Sequence, residues 1–267
     1  AAAMSSISRE NMADVLKGVA AAAEGGAQTA ELMEPLLNLA AALEEARALA
    51  MLLAIVTKPG DEGYARWQYA ALAAALEQFS ANASSLEALQ RDGGEDFAEV
   101  LKRLPGMFAA ARAAAADDKA AEELRTAAVA VVGYDAADRV AAREVLENLL
   151  SPRTPAAVQS AAVAALVRDD AADVVESLLS GWPGYVPPLR MQIVDALLQT
   201  DARTTALLDA VAAGTVPALE IDASRRQRLM THRNETIRER AEQLLAGTLN
   251  ADRQQVIDSY ASQITGN

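Results

Sequence analysis

Ser151 to Leu198 reads SPRTPAAVQSAAVAALVRDDAADVVESLLSGWPGYVPPLRMQIVDALL and contains one pattern twice. Val158-Gln159-Ser160-Ala161-Ala162-Val163-Ala164-Ala165-Leu166 can be laid over Leu189-Arg190-Met191-Gln192-Ile193-Val194-Asp195-Ala196-Leu197. The apolar positions then coincide at an offset of 31 residues. A proline precedes each copy, Pro155 and Pro188. One further amphipathic segment lies between the copies, so the repeating unit is a helix pair. One such pair cannot bury its own apolar face, and periods of roughly 20–50 residues imply stacked units. The stretch predicts an architecture and carries no chemistry of its own.

The composition agrees with it. Of the 267 residues 52% are hydrophobic but only 4% aromatic, with alanine supplying much of the difference. Alanine is the best helix former and allows close approach of helices, which points to an all-α protein. A net charge of −13 argues against a nucleic-acid surface, because phosphate binding needs clustered Lys and Arg. There is no cysteine, so disulfides, thiolate catalysis, iron–sulfur ligation and covalent haem attachment through CxxCH are excluded within this sequence. The longest apolar run, Ala48 to Val56, is nine residues, whereas crossing a bilayer takes about 20. Ala1-Ala2-Ala3-Met4 lacks the basic start and apolar core of a leader peptide and reads as an expression scar or a cut inside a longer protein.

Taken in order, Ser8–Ala23 is expected to be helical, closed by Gly25-Gly26. A second helical region runs from Thr29 towards Val56, with Pro35 able to occupy a first turn. Lys58 to Gly63 is a loop. Tyr64–Ser80 carries Trp67, Ala71, Leu72, Ala75, Leu76 and Phe79 at helical spacing, which makes Trp67 a core anchor. Gln90–Asp96 (QRDGGED) is read as a glycine loop. Its acids (Asp92, Glu95, Asp96) fit no EF-hand spacing and are better taken as a solvated helix start than as a weak cation site. Helices follow over Phe97–Leu104, Pro105–Asp117 and Asp117–Gly133, the last with Leu124, Ala127, Ala128, Val131 and Val132 on one face. A regular alternation then covers Ala137–Leu150 (Val140, Val145, Leu146, Leu149, Leu150), Pro155–Arg168, Ala171–Ser180 and Pro188–Thr200. Asp169, Asp170 and Asp173 serve as cap and dipole partners, not metal ligands. Arg203–Ala213, Asp222–Met230, Asn234–Leu245 and a final helix from Asn250 to about Gln263 complete the chain. In Asn234–Leu245, Ile237, Arg238, Ala241, Leu244 and Leu245 match Leu189, Arg190, Ile193, Ala196 and Leu197. No segment alternates with period two between hairpin turns, so no sheet is expected. The expected fold is one curved, right-handed stack of helices.

The search for chemistry yields mostly absences. His232 is the sole histidine, so Ser–His–Asp, HExxH and multi-histidine metal sites cannot be assembled within the chain. No GxGxxG, GxxxxGK[ST] or GxSxG occurs. No catalytic, cofactor-binding or metal-ligating residue is therefore assigned. His232 is read as a helix-junction residue, with an axial haem ligand for a neighbouring domain as the alternative. One local anomaly stands out. Arg225, Arg226, Arg228, Arg233, Arg238 and Arg240 lie within sixteen residues of an otherwise acidic chain. They are either a solvated face paired with acids such as Glu235 and Glu239 or a docking patch for an acidic partner or the next domain.

These residues resemble a known arrangement. The chain is similar, from about Tyr64 to Tyr260, to the HEAT-like helical region of large multidomain proteins of planctomycete-type bacteria. The matching stretches begin with Trp67-Gln68, Arg125-Thr126-Ala127-Ala128, Gly133-Tyr134-Asp135 and Leu149-Leu150-Ser151-Pro152. They continue with Val158 to Ala162, Trp182-Pro183-Gly184, Leu207 to Ala210, Arg225 to Leu229, His232, Ile237-Arg238, Asp252-Arg253, Val256-Ile257 and Tyr260. In that family a dehydrogenase-like propeller precedes the helical region and a c-type cytochrome domain follows it. The resemblance implies a right-handed α-α superhelix of HEAT or ARM type and a role as spacer or docking module in an exported, periplasmic protein. Haem would belong only to the downstream domain, and neither dehydrogenase nor electron-transfer activity carries over to this sequence.

Residues 1–267 are thus expected to form a single helical-repeat domain. Residues 1–63 are divergent, 64–133 irregular, 134–200 the regular repeats and 201–267 C-terminal helices. The leading functional expectation is a non-enzymatic scaffold whose partner is a protein or a neighbouring domain, without nucleic acid or membrane insertion. A second is a helical small-molecule-binding or enzymatic domain with a pocket near Trp67, Trp182 and Tyr185. Self-association through faces that absent neighbours would cover is a third.

Overall fold

The structure, a computed structural model, describes residues 45–81, 83–169 and 172–245, together with 33, 35–37 and 39–40. Every regular element among them is helical; the lone extended pairing is an isolated bridge between Gly60 and Gly63. The expected helices at Ser8–Ala23 and Asn250–Gln263, and the expected cap residue Asp170, lie outside the described residues. The chain divides into two compact units, Ala1–Leu149 and Leu150–Asn267.

The N-terminal unit contains α1 (Ala46–Val56), α2 (Arg66–Ala81), α3 (Ala83–Asp92), α4 (Gly94–Ala116), α5 (Glu122–Val132) and α6 (Arg139–Asn148). α4 packs against both α1 and α5, and α2 packs against α5. Leu49, Leu52 and Leu53 of α1, Leu72 of α2, Met107 and Ala111 of α4 and Val129 and Val132 of α5 are buried. Within the helical region expected from Thr29 towards Val56, Glu45 is non-helical and directly precedes α1.

Three further expectations fail here for identifiable reasons. Pro105 does not separate two helices; α4 runs through it. An interior proline costs about 3 kcal/mol. Phe97 and Val100 before it and Met107, Phe108, Ala111 and Ala115 after it are all buried. Burial of one large apolar side chain is worth about 1.5–3 kcal/mol, enough in sum to hold both halves in one helix. Pro105 itself lies on the exposed side. Val140, placed on the apolar stripe of α6, is 81% exposed. Asp138 caps α6 by accepting from the Ala141 N–H, which fixes a face made of Ala142 and Leu146, continued by Leu149 and Leu150. Val140 lies about 200° round the helix from Ala142 and cannot join it.

The third is QRDGGED. α3 extends through Asp92 and only Gly93 separates it from α4, with Gly94 at φ +62. A Cβ on Gly93 would stand 2.5 Å from the Leu89 carbonyl oxygen and 2.7 Å from the Phe97 Cβ. Gly93→Ala is expected to destabilise the N-terminal unit by about 1–3 kcal/mol, the cost of overpacking. Chemical denaturation followed by Trp67 fluorescence would show it as a lower midpoint.

The unit is also tied by a buried ion pair. Arg112 near the end of α4 binds the carboxylate of Asp135 in the α5–α6 turn, and its other terminal nitrogen lies 3.2 Å from Asp138. Asp135 is buried and additionally accepts the Asp138 N–H at 3.2 Å.

The C-terminal unit contains α7 (Ala156–Leu166), α8 (Ala172–Ser180), a 3-10 turn (Trp182–Gly184), α9 (Pro187–Leu197), α10 (Asp201–Ala212), a second 3-10 turn (Ala218–Glu220), α11 (Ala223–Met230) and α12 (235–245). α7 and α9 begin 31 residues apart, the offset of the sequence overlay. Val158, Ala162, Val163 and Leu166 are buried, and so are their counterparts Leu189, Ile193, Val194 and Leu197. In α12, Ile237, Ala241 and Leu245 are buried at the positions matched to Leu189, Ile193 and Leu197. α7 packs on α9, α8 on α10, and α9 on α10. Caps are supplied by Thr200, Asp222 and Asn234, each accepting from an N–H of the following turn.

Candidate functional site

A polar device recurs at the helix starts. The fourth residue of α5, α7, α9, α11 and α12 is Arg125, Gln159, Arg190, Arg226 and Arg238. Each reaches back to a carbonyl before its own helix. Arg125 donates to Ala115 at 3.1 Å, Gln159 to Ser151 at 2.6 Å and Arg190 to Pro183 at 3.3 Å. Arg226 donates to Ile221 at 3.1 Å and Arg238 to His232 at 2.9 Å. One position earlier in their helices, Gln68 spans the carbonyls of Val56 and Lys58, and Arg203 reaches that of Val167. Helix ends and connecting turns leave carbonyls without partners, and burying them unsatisfied costs about 1–3 kcal/mol each. The long side chain at a fixed place in the next helix meets that need. In α2 the consequence is a rotated face: Gln68 and Tyr69 are buried and Trp67 is only half-buried, so Trp67 is not the core anchor.

The arginine cluster is largely consumed inside the C-terminal unit. Arg225 binds the carboxylates of Asp195 on α9 and Asp222 at its own cap, and only 17% of its side chain is exposed. Arg226 is buried. Arg240 pairs with Asp209 of α10. Arg238 lies 3.6 Å from Glu235, and Arg228, half exposed, is 3.8 Å from Asp195. Arg233, with 86% of its side chain exposed, is 3.5 Å from Asp201. Most of the partner acids therefore come from the earlier helices α9 and α10, and the cluster joins α11 to α9 and α12 to α10. As a face open to a partner it reduces to Arg228 and Arg233.

Two of these acids make the unit acid-sensitive. Hydrogen bonding from the Asn234 amide, outweighing some burial and helped by Arg233 and His232, holds the Asp201 carboxyl below its ordinary range. Burial pushes Asp222 up, but bonds from the Arg225 N–H, its guanidinium and the Ser224 N–H outweigh this and hold it below the ordinary value too. A carboxylate depressed in the folded state contributes stability above its unfolded pKa, about 3.9, and loses it as pH falls through the folded value. The C-terminal unit is expected to weaken below about pH 4. Asp201→Asn and Asp222→Asn should each flatten that acid limb in a Trp182 fluorescence titration.

The remaining candidate residues fall in both units. Trp182 and Tyr185 belong to the C-terminal unit, Trp67 to the N-terminal one. Trp182 is buried; its indole N–H donates to Glu220 at 2.8 Å, and the Arg190 guanidinium lies over its ring, 5.7 Å from the centroid. Arg190 also donates to Glu220 at 2.7 Å, so one carboxylate holds both. Asp92, Glu95 and Asp96 are exposed, and no group of residues suited to a metal ion occurs among the described residues. His232 occupies the α11–α12 junction. Among the described residues no helix is long and apolar enough to cross a membrane.

The chain matches no protein-family model, no curated protein and no solved structure.

Proposed function

We propose that the chain is a non-catalytic scaffold, a right-handed stack of HEAT-like helix pairs that docks a protein or neighbouring domains of its own polypeptide. The observation that carries this reading is the equivalence of α7 and α9. They begin 31 residues apart, bury the same positions and use a long polar side chain at the same fourth position, Gln159 or Arg190, to tie back to the preceding turn. Stacks of this kind present extended surfaces in place of a single cleft. The sequence resemblance supplies the setting: a spacer in an exported, periplasmic redox protein, between a dehydrogenase-like propeller and a c-type cytochrome domain that alone would hold haem. Arg228 and Arg233 are the members of the arginine cluster that could meet an acidic neighbour.

The setting is tested by the coding sequence on either side. A CxxCH motif a few tens of residues downstream supports it, and a stop codon directly after Asn267 overturns it. With the downstream domain as ligand, Arg228→Glu combined with Arg233→Glu should weaken binding in a salt-dependent way. Unchanged affinity at low salt would remove the patch from the docking surface.

A further inference from the structure

We propose that His232 is a proton-operated link: neutral, it ties the α11–α12 turn together, and protonated, it transfers its hold to α10. The geometry at its two ring nitrogens is asymmetric. Nδ1 accepts the Asn234 backbone N–H at 3.1 Å, which requires a bare lone pair there. The ring proton then sits on Nε2, which faces Asp201 Oδ1 of α10 at 3.9 Å. Only 17% of the side chain is exposed.

Among the described residues, three elements contribute contacts around His232. α10 contributes Asp201, whose other oxygen accepts the Asn234 side-chain amide at 2.8 Å. α11 contributes Leu229, whose carbonyl accepts the His232 N–H at 3.2 Å. From the turn and α12 come Arg233, 3.5 Å from Asp201, and Arg238, which donates to the His232 carbonyl and lies 3.6 Å from Glu235. Asn234 is the cap of α12, so its N–H is where the turn enters that helix.

An imidazolium has a proton on both nitrogens and no acceptor. When His232 takes up a proton the Asn234 N–H loses its partner, while the new positive charge faces Asp201 within ion-pair distance. A bond local to the turn is exchanged for an attraction between α12's entrance and α10. No net release of α12 follows; what changes is which neighbour holds it.

The test is nitrogen-resolved NMR of the full chain between about pH 8 and about pH 5, the range in which histidines change charge. At the upper end the His232 Nδ1 is expected to show the shift of an unprotonated nitrogen and Nε2 that of a protonated one. On acidification the Asn234 amide should lose about five-fold in exchange protection beyond the intrinsic pH effect, the loss of one ordinary hydrogen bond. In His232→Asn, which keeps an acceptor but cannot titrate, that protection should stay level. A protonated Nδ1 at the upper end, or level Asn234 protection in the unsubstituted chain, overturns the proposal. The titration of the unsubstituted chain decides even if the variant does not fold.

Discussion

Arg112→Met is expected to destabilise the N-terminal unit by about 3–5 kcal/mol, because it strands a buried carboxylate. Asp135 has its side chain 2% exposed, and Arg112 is its cationic partner, with Asp138 alongside. Methionine keeps the length and apolar body of arginine, so packing loss is small and the effect isolates charge. Asp135→Asn in the same chain should recover part of the loss, since an uncharged amide is far cheaper to bury than an unpaired carboxylate. The two tryptophans fall one in each unit, which makes the measurement clean. In a Trp182→Phe background the Trp67 denaturation midpoint should drop for Arg112→Met and partly return in the double variant. A midpoint within error of the parent would show that the pair contributes nothing.

The second large effect concerns Trp182. Trp182→Ala is expected to cost the C-terminal unit about 3–5 kcal/mol through cavity formation, with Arg190 losing the ring beneath it and Glu220 losing the indole N–H. Trp182→Phe should cost less, about 1–2 kcal/mol, since it keeps a ring for the guanidinium and forfeits the hydrogen bond. The contrast separates two roles. A ring serving as a platform for a small ligand contributes little to stability when empty, and its removal would leave thermal unfolding by circular dichroism nearly unchanged. At 2% exposure, with its indole N–H and the Arg190 guanidinium both bound to the Glu220 carboxylate, the ring belongs to the core.

How far the chain can be read from its residues follows the physics of each signal. Apolar period and offset survive tertiary folding, so the pairing of Val158, Ala162, Val163 and Leu166 with Leu189, Ile193, Val194 and Leu197 is legible in the residues themselves. Pro105 misleads because a local breaker rule cannot weigh burial on both sides of it. Val140 misleads because it is apolar, yet it lies about 200° round α6 from the buried Ala142, so helical geometry itself keeps it off that face. The tie-back residues are present in the 31-residue overlay, where Gln159 falls opposite Arg190, but a polar residue on a periodic pattern reads as solvent-facing. Their real partners are carbonyls, which no sequence displays. The arginine cluster shows the same limit. Composition can count six arginines but cannot reveal that Asp195, Asp201 and Asp209 stand opposite them on earlier helices.

If the C-terminal unit is assembled from equivalent helix pairs, removing one period leaves the remainder able to fold. Excising Val158 to Pro188 removes one 31-residue period and joins Ala157 to Leu189. Arg190 then occupies the place of Gln159 relative to Ser151, the carbonyl that Gln159 holds in the intact chain. In a repeat stack each unit contacts only its neighbours, so loss of one lowers stability without abolishing the fold. The shortened chain should keep dispersed amide resonances for α9 to α12 and unfold cooperatively at a lower temperature. Collapse of that dispersion, with α9 to α12 no longer folded, would contradict the account.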